Sequence, residues 1–154
     1  MVMAGEESRK TESEMSASHL DKKKFADFVR IHAINGDLIT REDEMLILKE
    51  GITRFGMTLD EATGILLAVA AENEIALVSH AEHHIETLLE QLVRKGKIAQ
   101  KEFDDAVAIY KKLTNGGVPE SEVKKRVKQM VEERGWKGRK TRWLLGTRKW
   151  FRKI

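Results

Sequence analysis

The reading of residues 96–135, GKIAQKEFDDAVAIYKKLTNGGVPESEVKKRVKQMVEERG, decides the fold. This stretch carries two apolar stripes at helical spacing: Phe103, Ala106, Val107, Tyr110 and Leu113, then Val123, Val127, Met130 and Val131. Between them Asn115-Gly116-Gly117 can end one helix. Pro119 suits the first turn of the next, where a missing N–H costs nothing. The apolar residues recur every three to four positions, so helices packing on helices are expected.

The same punctuation extends upstream. Lys95-Gly96 closes a helix bearing Ile85, Leu88, Leu89 and Leu92, for which Ser79 and Glu82 have capping-box spacing. Thr58 and Glu61 have that spacing too, ahead of Ala62, Leu66, Val69 and Ala70. The pattern leaves open whether this helix stops before Ser79 or runs on. A helix over about 41–55 is read with Met45, Leu48, Ile52 and Phe55 inward and Gly56 as its stop. The first, over about 21–34, carries Phe25, Phe28, Val29 and His32 before Asn35-Gly36.

A chain of 154 residues fits one domain, and a single proline, 6% aromatics and abundant Glu, Lys, Leu and Ala favour helix over sheet. The expected fold is all-α: a compact bundle of about six short helices plus a C-terminal basic amphipathic helix. Residues 1–19 are read as a disordered leader, 20–134 as the helical domain and 135–154 as a basic, Trp-rich tail. The absence of cysteine excludes disulfides, thiolate zinc sites, iron–sulfur clusters and cysteine nucleophiles. The longest nearly unbroken apolar run, residues 65–71, falls far short of the roughly 20 residues that span a bilayer. The first twenty residues lack the apolar stretch of a secretory signal. A cytoplasmic location is expected, with association to a membrane surface left open.

The net charge of +3 hides an uneven distribution. All 25 acidic residues precede Gly135, together with all but eight of the 28 Lys and Arg, so the body is net acidic. The tail holds those eight, Lys137, Arg139, Lys140, Arg142, Arg148, Lys149, Arg152 and Lys153, and no acid. It also holds all three tryptophans, Trp136, Trp143 and Trp150. Trp143, Leu144, Thr147, Trp150, Phe151 and Ile154 trace one helical face with most cations off it. Such a helix suits an anionic membrane surface, phosphates with tryptophan stacking on bases, or a groove on an acidic protein partner. It can equally fold back on its own acidic body. The reading that follows is a non-catalytic binding or adaptor module whose tail engages an acidic partner or membrane surface, with nucleic-acid binding as the alternative.

Three turns share a layout of glycine, an apolar residue two later and a glutamate six later: Gly36, Leu38, Glu42; Gly96, Ile98, Glu102; Gly116, Val118, Glu122. These offsets resemble the calcium loop of EF-hand proteins. The positions that would supply the remaining oxygens are Ile31, Ala33 and Asn35, then Gln91, Val93 and Lys95, then Lys111, Leu113 and Asn115. Apolar and cationic side chains cannot hold a hard dication, so helix capping is expected instead. Residues 35–42, NGDLITRE, followed by Leu48, Phe55-Gly56-Met57-Thr58 and Glu61, resemble TerB-like domains, the all-helical modules of tellurite-resistance proteins. That resemblance implies an all-helical fold, and any metal-binding acids would correspond to Asp37, Glu42, Asp43, Asp60 and Glu61.

Residues 79–86, SHAEHHIE, hold three of the five histidines. His80 and His84 share a helix face at the spacing by which a helix donates two imidazoles to zinc. Ala81 stands where a metalloprotease motif needs glutamate, and a third ligand would have to come from Glu72, Glu74 or His32. Metal binding by this pair is thus a third alternative. No catalytic set and no phosphate-binding glycine loop stands out, so neither enzymatic activity nor a cofactor is expected.

Overall fold

In the computed structural model, residues 4–33, 36–140 and 148–154 are described, with side chains from residue 18 onward. The fold is all-α, with seven helices and only two-residue strands among the described residues. The chain divides into two compact units, Met1–Ile75 and Ala76–Ile154, where its length had suggested one domain. Unit 1 contains α1 (Ala4–Ala33), β1 (Leu38–Ile39), α2 (Arg41–Thr53) and α3 (Leu59–Glu72). Unit 2 contains β2 (Ala76–Leu77), α4 (Val78–Leu92), β3 (Lys97–Ile98), α5 (Gln100–Leu113), α6 (Glu120–Glu133), β4 (Lys137–Gly138) and α7 (Lys149–Arg152).

α1 takes in most of the stretch read as a disordered leader. After Gly5 that stretch has neither glycine nor proline, carries Glu6, Glu7, Glu12 and Glu14 with Arg9, Lys10, Met15 and Ala17 as helix formers, and sets Glu6 and Lys10 at the supportive i,i+4 spacing. α3 and α4 are separate helices. The break falls at Asn73 and Glu74, where Glu74 adopts φ 55° and the Ile75 N–H donates back to the Ala70 carbonyl. The Thr58–Glu61 capping box forms as the spacing implied. The Lys22 ammonium, then the Thr58 amide, hold the Glu61 carboxyl below its ordinary value. A depressed carboxylate contributes stability above its unfolded pKa and loses it as the pH falls through the folded value.

In unit 1 the core comprises Phe25, Val29, Ile47, Met57, Ala62, Leu66, Val69 and Ala70. Phe55 adds its ring beside those of Phe25 and Phe28, at 5.5 and 5.8 Å between centroids. The inward face of α2 is not the one read from the sequence: Ile47 and Gly51 are buried, whereas Met45 and Ile52 are exposed. The cause is steric. A Cβ on Gly51 would lie 2.9 Å from both the Ala62 Cβ and the Phe25 ring, so the glycine lets α2 approach its neighbours on that side. His32 also turns outward, its Nδ1 hydrogen-bonded to the Phe28 carbonyl at 3.0 Å.

Unit 1 runs helix, two-residue strand, helix, helix; α4, β3, α5 and α6 of unit 2 repeat that order, and their buried positions correspond. Phe25 and Val29 of α1 match Ile85 and Leu89 of α4. Ala62, Leu66, Val69 and Ala70 of α3 match Val123, Val127, Met130 and Val131 of α6, all buried. On α2 and α5, Ile47 matches Ala106 and Gly51 matches Tyr110. The acids of the first turn match in position: Thr40 caps α2 by accepting the Asp43 N–H and donates its hydroxyl to the Asp43 carboxylate, while Glu102 accepts from the Ala99 N–H at 2.8 Å. The two cores fill by complementary choices: large Phe25 faces Gly51 in unit 1, while smaller Ile85 shares its core with Tyr110 in unit 2.

Gly51→Ala should therefore lower stability by about 1–3 kcal/mol, the usual cost of overpacking, although alanine is the better helix former by about 1 kcal/mol. Urea denaturation checks this, and an unchanged or raised midpoint would contradict it.

Candidate functional site: a cationic surface on unit 2

The core of unit 2 gathers Ala81, Ile85 and Leu89 of α4, Phe103, Ala106, Val107 and Tyr110 of α5, and Val123, Val127, Met130 and Val131 of α6. Phe151 of the tail is buried in the same cluster, and Trp136, Trp150 and Ile154 pack against it half-buried. The Phe103 ring meets Trp150 at 5.6 Å and Phe151 at 5.9 Å between centroids, both edge to face. The Trp150 indole N–H donates to the Arg139 carbonyl at 3.1 Å. The end of the chain thus packs on its own unit.

Two local features make this docking feasible. β4 lies parallel to β3, with Lys137 opposite Lys97 and Gly138 opposite Ile98. The Lys137 N–H donates to the Gly96 carbonyl and the Arg139 N–H to the Ile98 carbonyl. The second feature is Gly138 itself. A Cβ there would fall 2.8 Å from the Phe151 Cβ and 3.1 Å from Trp150, so only glycine lets α7 sit on β4.

With its rings turned inward, the segment leaves its charges outside. Lys137, Arg139, Lys140, Lys149, Arg152 and Lys153 are exposed and Arg148 is half-buried. None of the seven has an ion-pair partner among the described residues. Lys128 lies over the Phe151 ring at 5.5 Å. Lys97, which the sequence reading passed over, is brought beside Lys137 by the strand register. A cleft of about 290 Å³ opens among these groups, lined by Glu132, Gly135, Trp136, Lys137, Gly138, Arg148, Phe151 and Arg152. The Nε of Arg148 is itself buried and has no hydrogen-bond acceptor among the described residues. The positive charges of Lys137, Arg148 and Arg152 on the cleft lining favour a carboxylate or phosphate oxygen there.

Of the tail residues singled out from the sequence, Trp136, Lys137, Arg148, Phe151 and Arg152 line the cleft, Trp150 packs on the core, and Arg139, Lys140, Lys149 and Lys153 are exposed. Arg142, Trp143, Leu144 and Thr147 lie outside the described residues, so the long amphipathic helix is described only as the short α7.

Behind the cationic face, unit 2 buries an ion pair. Glu82, 3% exposed, accepts from Arg126 Nε at 2.6 Å and Nη2 at 3.3 Å, and from the Tyr110 hydroxyl at 3.3 Å. The Glu82 carboxylate pushes Arg126 further above the ordinary guanidinium range, against the opposing effect of burial. Ser79 and Glu82 therefore form no capping box: α4 starts at Val78 from an N-cap Leu77 with no side-chain cap. Arg134 pairs with Glu90 and Glu86 and covers the Trp136 ring at 5.4 Å.

The histidines take a different place. His80, His83 and His84 are all exposed on α4, and the His84 Nδ1 is hydrogen-bonded to the His80 carbonyl at 2.9 Å. The His80 and His84 rings lie 6.4 Å apart. No group of three or more metal-ligating side chains occurs among the described residues. Of the acids suggested by the TerB-like resemblance, Glu61 completes the capping box of α3, and the Asp43 carboxylate accepts from the hydroxyl of Thr40, the N-cap of α2. In the EF-hand-like turns the twelfth-position Glu102 likewise caps α5, and Leu38 and Ile98 sit in the short strands. No protein-family model, curated protein or solved structure matches this chain.

Two measurements test this arrangement. Gly138→Val should undock α7, shifting tryptophan emission to the red and lowering the melting temperature; emission identical to wild type would contradict it. Glu82→Ala, which strands Arg126, should cost about 3–5 kcal/mol, whereas joint replacement by Glu82→Leu with Arg126→Met should cost much less. Equal losses in calorimetry would count against a buried pair.

Proposed function

We propose that this protein is a non-catalytic binding or adaptor module that uses the cationic face of unit 2 to engage an acidic protein partner. The observation that carries this reading is a set of seven cations without acidic partners among the described residues, of which Lys137, Arg148 and Arg152 line one cleft. Contact is electrostatic, because Phe151 is core and Trp136 and Trp150 are committed to packing. That commitment disfavours deep insertion of aromatic side chains at a membrane interface, where such rings would need to be free. It likewise disfavours stacking on nucleic-acid bases, since Arg134 already covers Trp136. No described helix is long and apolar enough to cross a membrane.

Fluorescence anisotropy with a labelled poly-glutamate peptide tests the reading, with anionic phospholipid vesicles and a short oligonucleotide as parallel probes. The peptide should bind at 50 mM salt and weaken steeply by 200 mM. Arg139→Glu, Lys149→Glu and Arg152→Glu together should reduce affinity at least about tenfold, at about 1 kcal/mol per charge near an anionic surface. Wild type that ignores the peptide at low salt would overturn the proposal. Preferential binding to vesicles or oligonucleotide would reassign the partner class.

A further inference from the structure

The correspondence between the units provides an internal comparison for their surfaces. The outer face of α5 carries Asp104, Asp105 and Lys111, and Lys111 reaches Glu120 at the start of α6 at 3.4 Å. This face is ordinary solvated surface. At the matching positions of unit 1 stand Met45, Leu46, Ile52 and Leu59. They are 73%, 51%, 43% and 55% exposed. Three carboxylates and an ammonium in one unit are thus replaced by four exposed aliphatic side chains in the other. Both sets lie at exposed or half-exposed positions on the second and third helices of the matched series, so core packing gives no reason for the apolar choice. Burial against something outside the unit does.

The charges on the same stripe indicate what covers it. Glu42 and Lys49 flank Met45 and Leu46 at equal distance along α2, both exposed and neither in an ion pair with a described residue. If a second α2 is laid antiparallel across the first on a two-fold axis between Met45 and Leu46, each Met45 faces the partner's Leu46. Each Glu42 then faces the partner's Lys49. The stripe is therefore complementary to itself, as an isologous interface requires. We infer that α2 of unit 1 is the interface of a homodimer, with a second copy of this chain as its occupant.

Sedimentation equilibrium of the full chain across micromolar to millimolar concentrations tests this. Wild type should approach twice the chain mass as concentration rises. Met45→Asp with Leu46→Asp, which installs the acids found in unit 2, should remain at the chain mass, as should Ile52→Lys. Circular dichroism of both variants should match wild type, and if the first fails to fold, the second carries the test. Glu42→Lys and Lys49→Glu should each weaken association about tenfold or more, and the two together should restore it. A wild type that stays monomeric overturns the inference, as does a dimer insensitive to these substitutions. Failure of the double reversal to restore association overturns the antiparallel register.

Discussion

The close approach of Phe151 and Trp150 to Gly138 governs what the end of this chain is. Where a Cβ would fall 2.8 Å from the Phe151 Cβ, only a residue without one lets α7 rest on β4. From that contact the rest follows. Phe151 reaches Phe103 and enters the core of unit 2, and Trp150 seals its edge and donates its indole N–H to Arg139. The basic side chains of the same segment are then left on the outside. The aromatic residues hold the segment in place, and the cations make its surface chemistry.

This separation alters how an aromatic, basic chain end should be understood. Charge and aromaticity in one amphipathic segment invite the picture of a free helix seeking a bilayer or a groove. Here Trp136, Trp150, Phe151 and Ile154 pack within unit 2, and the β3–β4 register adds Lys97 to the cations by setting it against Lys137. A surface of this kind recognises charge, and its affinity and association rate depend on ionic strength.

The sequence conveyed most of the helices because their apolar residues are confined to one side. On α3 and α6 the residues read as inward are those that are buried. α2 was misread because Met45, Leu46, Ile47 and Leu48 place an apolar residue on every side of the helix. The choice among them depends on Gly51 meeting Phe25 and Ala62, which are distant in sequence. The start of α4 was misread for a similar reason: Glu82 has capping spacing from Ser79, but Arg126 and Tyr110, far along the chain, bind its carboxylate. The cationic cluster itself was plain in the composition of residues 135–154. The inward turn of its rings was not, since it depends on the absence of a side chain at Gly138, and two-residue strands such as β3 and β4 leave no periodic signal.

The correspondence of the units adds a second level of reading. Matched core positions stay buried while exchanging size, as Gly51 and Tyr110 do, and positions facing outward differ in chemistry, with cations beside β4 in unit 2 and aliphatic residues on α2 in unit 1. The central claim is that the chain end is an integral part of unit 2, with its charges facing solvent. Amide hydrogen exchange read at single residues tests it most directly. The Lys137 and Arg139 amides, which donate to Gly96 and Ile98, and the Phe151 amide, which donates to Arg148, should exchange far more slowly than an unstructured peptide of the same sequence. Exchange at the unstructured rate at all three positions would contradict the account.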